Sequence, residues 1–530
     1  LLSACEKKAS PEATLAFNNI IPKPISATAD GGAFILNEQT SIRVDASPEV
    51  SSIGTYLADK LNPATGFNLS VSQNDGTEVK NAIVLSTNAG DAELGDEGYS
   101  LVITANVVKL TANKPAGLFY GVQTLRQLLP AKIESGSSQA GVNWEIATGT
   151  IRDYPSYGWR GSMLDVARHF FGMDDVKRYI DLISHYKMNV LHLHLSDDQG
   201  WRIEIKSWPN LTTIGGSTQV GGGKGGFYTQ DQYKELVAYA QSRFITIIPE
   251  IDLPGHINSA LASYGELNGG TIVPEEGRVK APVVNQEIIS GKSKNKPTDL
   301  YSGIEVGWST LRVEKPESFK FVEDVLKELA SITPGPYLHI GGDEAHVTKK
   351  EDYIVFINRF SEMVKNNGKK MIGWEEIAQA NIDDNAIAQH WANEEHASAA
   401  AAKGAKIIMS PSTRVYLDMQ YDSLTKLGLH WAAYIEVDDA YSWDPADQVD
   451  GIGRDQIVGV EAPLWSETIS NMEEIEYLLF PRLPGIAEVG WSRAEGKSWD
   501  EYKTRLGLHG NRMTTMGINY YKSPLVSWNE

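Results

Sequence analysis

One cysteine in 530 residues, Cys5, has no partner for an intrachain disulfide, so core packing must hold this chain together. No apolar run approaches the ~20 residues that a membrane-spanning helix needs. Lys and Arg are outnumbered 48 to 68 by Asp and Glu, and nowhere do they cluster. The resulting formal charge of −20 disfavours nonspecific nucleic-acid binding and reads as a solubility charge. No internal repeat or low-complexity tract interrupts the chain, and no Gly-rich phosphate loop follows a first strand.

The length allows two or three domains with a large core. Hydrophobic content of 42% with 22% charged residues is that of an ordinary globular protein. Thirteen tryptophans are many, and several lie outside obvious core runs. An indole in a groove suits sugar recognition, because the apolar face of a pyranose can lie against it; elsewhere tryptophan is core packing. The lone cysteine ends Leu2-Ser3-Ala4-Cys5, which resembles a bacterial lipobox, where the Cys is lipidated and becomes N-terminal. That motif implies a lipid-anchored protein of the bacterial cell envelope, on the periplasmic side or the outer membrane, touching membrane only through the anchor. The competing reading is an accidental cysteine in a frayed terminus.

Residues 1–16 read as lipobox remnant and tether. Residues 17–151 read as a smaller α+β domain. Its strands include Ser41–Val44, Ala82–Leu85, Tyr99–Ile103 and Val107–Leu110, and its helices span Val50–Leu61 and Ala116–Leu129. From 152 to 530 the pattern alternates strand, loop and helix. Eight strands are predicted: Trp159–Leu164, Val190–Leu195, Ile245–Pro249, Tyr337–Ile340, Lys370–Gly373, Ala386–His390, Lys406–Met409 and Ile457–Val460. The fold class is therefore α/β, a (β/α)8 barrel with a C-terminal helical tail, its site at the C-terminal ends of the strands. Polar and aromatic residues fall at those ends: Asp165, Arg168, Asp197, Glu250, Asp252, Asp343, Glu344, Trp374 and Trp391. The stretch Asn268 to Ser309 reads as a loop over the barrel mouth.

The tetrad Gly341-Gly342-Asp343-Glu344 follows the apolar run Tyr337 to Ile340. Two glycines allow a sharp turn at the strand end. Two adjacent carboxylates resist ionising together, which leaves an acid beside a carboxylate near neutral pH and suits cleavage of an acetal. On this reading Glu344 carries a raised pKa from burial and its neighbour.

At these residues the chain resembles the glycoside hydrolase family 20 β-N-acetylhexosaminidases. The matching motifs, in order, are Trp159 to Phe171 (WRGSMLDVARHFF), Leu191 to Arg202 (LHLHLSDDQGWR), Glu250 to His256 (EIDLPGH), His339 to Glu344 (HIGGDE), Ile372 to Glu376 (IGWEE), Gln389 to Trp391 (QHW) and Leu464 to Glu467 (LWSE). Any one is weak; the ordered set is specific, covers the barrel, and departs at no core catalytic position. The α+β region is similar to the family's accessory domain. The resemblance implies an exo-acting retaining hydrolase that removes terminal β-linked GlcNAc or GalNAc from an oligosaccharide or glycoconjugate, with no cofactor and no metal.

It implies roles as well. Glu344 is the general acid and later base. Asp343 accepts the acetamido N–H while the substrate's own acetamido oxygen attacks, since vicinal acids cannot easily straddle a sugar. Tyr416 binds the acetamido oxygen. Trp374, Trp391 and Trp465 line the terminal-sugar pocket, with Trp431 at its rim. Arg168 holds the 3- and 4-hydroxyls, and Asp418 and Glu467 the 4- and 6-hydroxyls. Asp197 and His256 relay to Glu344, and Asp252 belongs to the same network.

Other readings compete. His192 and His194, two apart on a strand, share a face, as in the metal site of amidohydrolase-type barrels, and so admit a metal-dependent hydrolase. A noncatalytic sugar-binding barrel would keep the tryptophans, and a disaccharide-releasing enzyme would keep the Asp-Glu pair. The choice between GlcNAc and GalNAc, the natural substrate and the oligomeric state are not legible.

Overall fold

The computed structural model describes residues 7–77, 79–281 and 296–529, so Cys5 lies outside the described residues. Contacts divide the chain into two compact units, 1–158 with 185–187 and 480–530, and 159–184 with 188–479. The C-terminal helical segment thus groups with the N-terminal unit, where it was expected as a tail of the barrel. Arg505 pairs there with Glu488 at 2.6 Å and Arg512 with Glu134 at 2.9 Å.

In that unit a helix, α1 (Pro11–Ala16), occupies part of the expected tether. Ser10 caps it, Pro11 sits in its first turn, and Ala13 and Phe17 are buried, which a tether would not require. The sheet comprises β1 (Ser26–Ile35), β2 (Ser41–Val44), β3 (Val71–Gln73), β4 (Ala82–Ser86), β5 (Tyr99–Ile103), β6 (Val107–Ala112) and β7 (Glu145–Asp153), in the order β1-β7-β5-β6-β4-β2-β3. Helices α2 (Pro48–Thr65) and α3 (Pro115–Leu128) pack on it. Leu118, Val122 and Leu125 fall on one stripe of α3 at helical spacing and are buried, but so are Phe119 and Tyr120 on its flank. Tyr120 meets Trp491 edge-on at 5.3 Å, so the C-terminal segment covers the side the periodicity left open.

In the second unit eight parallel strands close into a barrel: β8 (Trp159–Asp165), β9 (Val190–His194), β10 (Thr246–Glu250), β11 (Tyr337–His339), β12 (Lys370–Trp374), β13 (Ile387–His390), β14 (Lys406–Met409) and β15 (Ile457–Leu464). Each coincides with a predicted strand to within about a turn of chain. Inward residues alternate along each strand. Trp159, Val190, Ile248, Ile372, Ile387 and Ile408 form one apolar layer. Two residues further along the same strands stand His192, Glu250, Trp374 and Gln389, a polar layer beneath the strand ends. Of the mouth loop, residues 282–295 lie outside the described residues. Its remainder pairs Arg278–Val279 with Leu300–Tyr301 and ends at Ser309, whose hydroxyl donates to Asp198.

Candidate active site

The turn after β11 is built for the two carboxyls. Gly341 and Gly342 have φ of 67° and 99°, and a Cβ on Gly341 would stand 1.8 Å from Asp252 Oδ1. Only glycine fits there. Gly342 N–H donates to that same Asp252 oxygen at 3.0 Å, Gly341 N–H donates to His339 Nδ1 at 3.1 Å, and Tyr353 Oη donates to Gly342 O at 2.6 Å. Glu344 (φ 45°) and His256 (φ 50°) are both left-handed without being glycine, a strain that persists where surrounding contacts impose it.

His256 sits between the relay and the acids. Its Nε2 lies 3.3 Å from Glu344 Oε2 and 3.6 Å from Asp343 Oδ2, and its Nδ1 contacts Asp197 Oδ1 at 3.2 Å. The expectation of a raised Glu344 fails in this geometry. Its side chain stays 26% exposed, and although burial pushes its pKa up, the His256 imidazolium outweighs that and holds it below the usual range. Asp343 is the raised member, by burial first and by the charge of Glu344, against the pull of His256. Burial and the charge of Asp343 push Asp252 up as well, so the two buried carboxyls resist ionising together. Glu376, not foreseen, is also raised by burial and by Asp343, and accepts the Trp391 indole N–H at 3.2 Å.

The other predicted residues converge on the same end of the barrel. The rings of Trp374 and Trp465 are 5.8 Å apart, those of Trp465 and Tyr416 6.3 Å, and Trp391 stacks on Tyr416 at 6.4 Å. Trp431 meets Trp391 and Tyr416 edge-on and is 56% exposed, which is rim geometry. Trp374 is 1% exposed, so it backs Trp465 and offers almost no face of its own. Leu417 N–H to Pro463 O ties the Tyr416–Asp418 segment to β15. Arg168 lies 5.0 Å from the Trp465 ring and pairs with Asp197 at 2.9 Å, so it joins the sugar wall to the relay. Burial and Asp165 raise Glu467 despite Arg168.

Several triads, such as His192, Glu250 and His339, bring three potential metal ligands within 4.8 Å of one another. Their protonation decides the chemistry. His192 faces Glu461 at 2.8 Å from Nδ1 and Glu250 at 2.8 Å from Nε2; His194 faces Glu250 at 2.6 Å and Asp197 at 2.7 Å. An ionised carboxylate only accepts, so both rings donate from both nitrogens and are imidazolium. Burial opposes that charge, yet the carboxylates push His192 up to about 9 and His194 up to about 10. A metal would have to displace those protons to bind there. Hydrolysis is expected to survive chelation undiminished; loss with a chelator and recovery with zinc would restore the metal reading.

A model of glycosyl hydrolase family 20, catalytic domain, matches residues 157–494, and one of family 20, domain 2, matches residues 18–154. A beta-N-acetylhexosaminidase of Cellulomonas fimi is 39% identical over 513 residues, covering 96% of this chain and 97% of its own. The solved GH20 beta-N-acetylhexosaminidase from Streptomyces coelicolor A3(2) matches with a TM-score of 0.89 at 47% identity, covering 97% of this chain and 99% of that one. A mutant Streptomyces plicatus beta-hexosaminidase in complex with its product GlcNAc matches with a TM-score of 0.89 at 48% identity, covering 97% and 98%.

Proposed function

We propose a catalytic cycle whose premise is that this chain belongs to glycosyl hydrolase family 20 and is a β-N-acetylhexosaminidase. It is an exo-acting, retaining hydrolase of terminal β-linked N-acetylhexosamine. One observation carries the mechanism. Asp343 and Glu344 are consecutive and share one imidazole at 3.6 and 3.3 Å. A retaining pair of the usual kind faces the sugar from opposite sides about 5–5.5 Å apart. Side by side, these two cannot.

The nucleophile is then the substrate's 2-acetamido oxygen. It bonds to the anomeric carbon as the glycosidic bond breaks, and the leaving oxygen takes a proton from Glu344. The oxazolinium ring that results is opened by water, which gives its proton to Glu344, and two inversions leave the β configuration. Asp343, acting as its carboxylate, accepts the acetamido N–H and stabilises the developing positive charge. Tyr416 holds the acetamido oxygen, Trp391 and Trp465 wall the sugar with Trp374 backing Trp465, and Arg168, Asp418 and Glu467 orient its hydroxyls. The low pKa of Glu344 is compatible with this role. The proton is stored on His256, whose pKa is raised well above normal because Asp197 and Asp343 outweigh its burial. A sugar that shields Glu344 from water favours moving that proton across, so the ionisation belongs to the pair. Purified protein is expected to cleave aryl β-GlcNAc or β-GalNAc and to leave the aryl β-glucoside intact. Comparable rates on the glucoside would overturn the cycle.

For location, the Leu2 to Cys5 motif supports a diacylglycerol anchor on Cys5 at the bacterial envelope. Cys5→Ala should release the enzyme from the membrane fraction with turnover unchanged. Wild-type protein recovered without detergent in the soluble fraction would count against the anchor.

A further inference from the structure

We infer that Glu250, inside the barrel, is a positioning residue that fixes both halves of the site at once, the proton relay through His194 and the aromatic wall through Trp374. This rests on the reading of Glu344 as the acid. Glu250 Oε2 accepts from His194 Nδ1 at 2.6 Å and from His192 Nε2 at 2.8 Å, while Oε1 accepts the Trp374 indole N–H at 2.9 Å. From His194 the path continues to Asp197 at 2.7 Å, to His256 and to Glu344. From Trp374 it continues to Trp465.

The barrel is constructed around this group. Glu461, across the barrel, holds the far nitrogen of His192 and accepts from Gln389 Nε2 and Trp159 Nε1, each at 2.9 Å. Gly161 leaves it room, since a Cβ there would stand 2.4 Å from Glu461 Oε2. Three carboxylates (Glu461, Glu250, Asp197) alternate with His192 and His194, and Arg168 closes the series on Asp197. The buried chain is neutral as a whole while every member is charged, so it holds one geometry. Removing Glu250 breaks it at the centre.

The charged groups around His194 are Glu250 from β10, Asp197 from the loop after its own strand, and Arg168, whose Nη1 lies 3.5 Å from Nε2. Around Glu250 are the His192 and His194 imidazoliums, with Asp252 on the loop beyond; His339, kept neutral by burial, accepts the Gly341 N–H at the Nδ1 that lies 3.2 Å from Glu250. In Glu250→Gln the amide cannot accept all of these donors, and His194 falls back toward an ordinary histidine.

The sign follows. Wild-type His194 keeps its second proton throughout the assay range, whereas in the variant it loses that proton as pH rises through neutrality. The ratio of variant to wild-type kcat/KM should therefore be about tenfold or more lower at about pH 8 than at about pH 5. A thiazoline mimic of the oxazolinium ion should also bind the variant about tenfold or more weakly, because Trp374 loses its anchor. Histidine-labelled wild-type protein should show doubly protonated rings for His192 and His194 at about pH 8 by ¹⁵N NMR, and Glu250→Gln should lose that signature. Neutral rings in the wild type overturn the inference whether or not the variant folds. So does a folded variant whose activity falls equally at every pH. Because the NMR readout does not involve turnover, its failure is distinguishable from a failure of Glu344 as acid.

Discussion

Glu344→Gln lowers kcat by about 10²–10⁴-fold on glycosides of poorly departing alcohols, and by about tenfold or less on aryl glycosides whose leaving group needs no proton. The amide is nearly isosteric but has no proton to give, so the loss scales with the pKa of the aglycone. His256 sharpens the result. Its Nε2 lies 3.3 Å from the carboxylate it supplies, and in the variant that imidazolium faces a neutral amide. Its proton has no route to the leaving oxygen, and added acid cannot rescue the variant. A loss equal across the aglycone series would take the acid role from Glu344 and leave the fold untouched.

Much of this was legible in the chain. Most of the eight barrel strands are apolar runs that end at or beside a charged or aromatic residue, and the site residues sit at those ends, where a barrel collects them. The two long strands missed were Ser26–Ile35 and Glu145–Asp153. The first holds Gly31-Gly32 and shifts register between Ala29 and Ala33; the second carries Gly149 amid polar residues, so neither shows a clean period of two. The polar layer inside the barrel was harder. His192 and Glu461 are 269 residues apart, and no local pattern marks them as partners. Seen alone, two histidines on one strand face admitted a metal. Seen between Glu250, Glu461 and Asp197, they are imidazolium ions. The direction of the Glu344 shift was invisible for the same reason, since the decisive charge comes from His256 on a different loop.

Asp343→Asn should cost about 10²–10³-fold in kcat while leaving substrate affinity within a few-fold of wild type. In the cycle the Asp343 carboxylate accepts the acetamido N–H with either oxygen. An asparagine has one acceptor oxygen, and its amide NH₂ turned on the acetamido N–H sets donor against donor. The neutral side chain also cannot stabilise the positive charge that grows as the oxazolinium ring closes, which is why the damage falls on turnover more than on binding. A thiazoline that mimics the closed ring should accordingly lose much of its grip on Asp343→Asn, more than the product GlcNAc does. The aryl glucoside, lacking the acetamido oxygen, should be cleaved by neither enzyme. Were the nucleophile on the protein, the glucoside would react slowly and leave a sugar esterified to a carboxylate. A glycosyl ester found by mass spectrometry on Asp343 or Glu344 would replace the substrate-assisted route with a covalent one and leave the barrel and its relay standing.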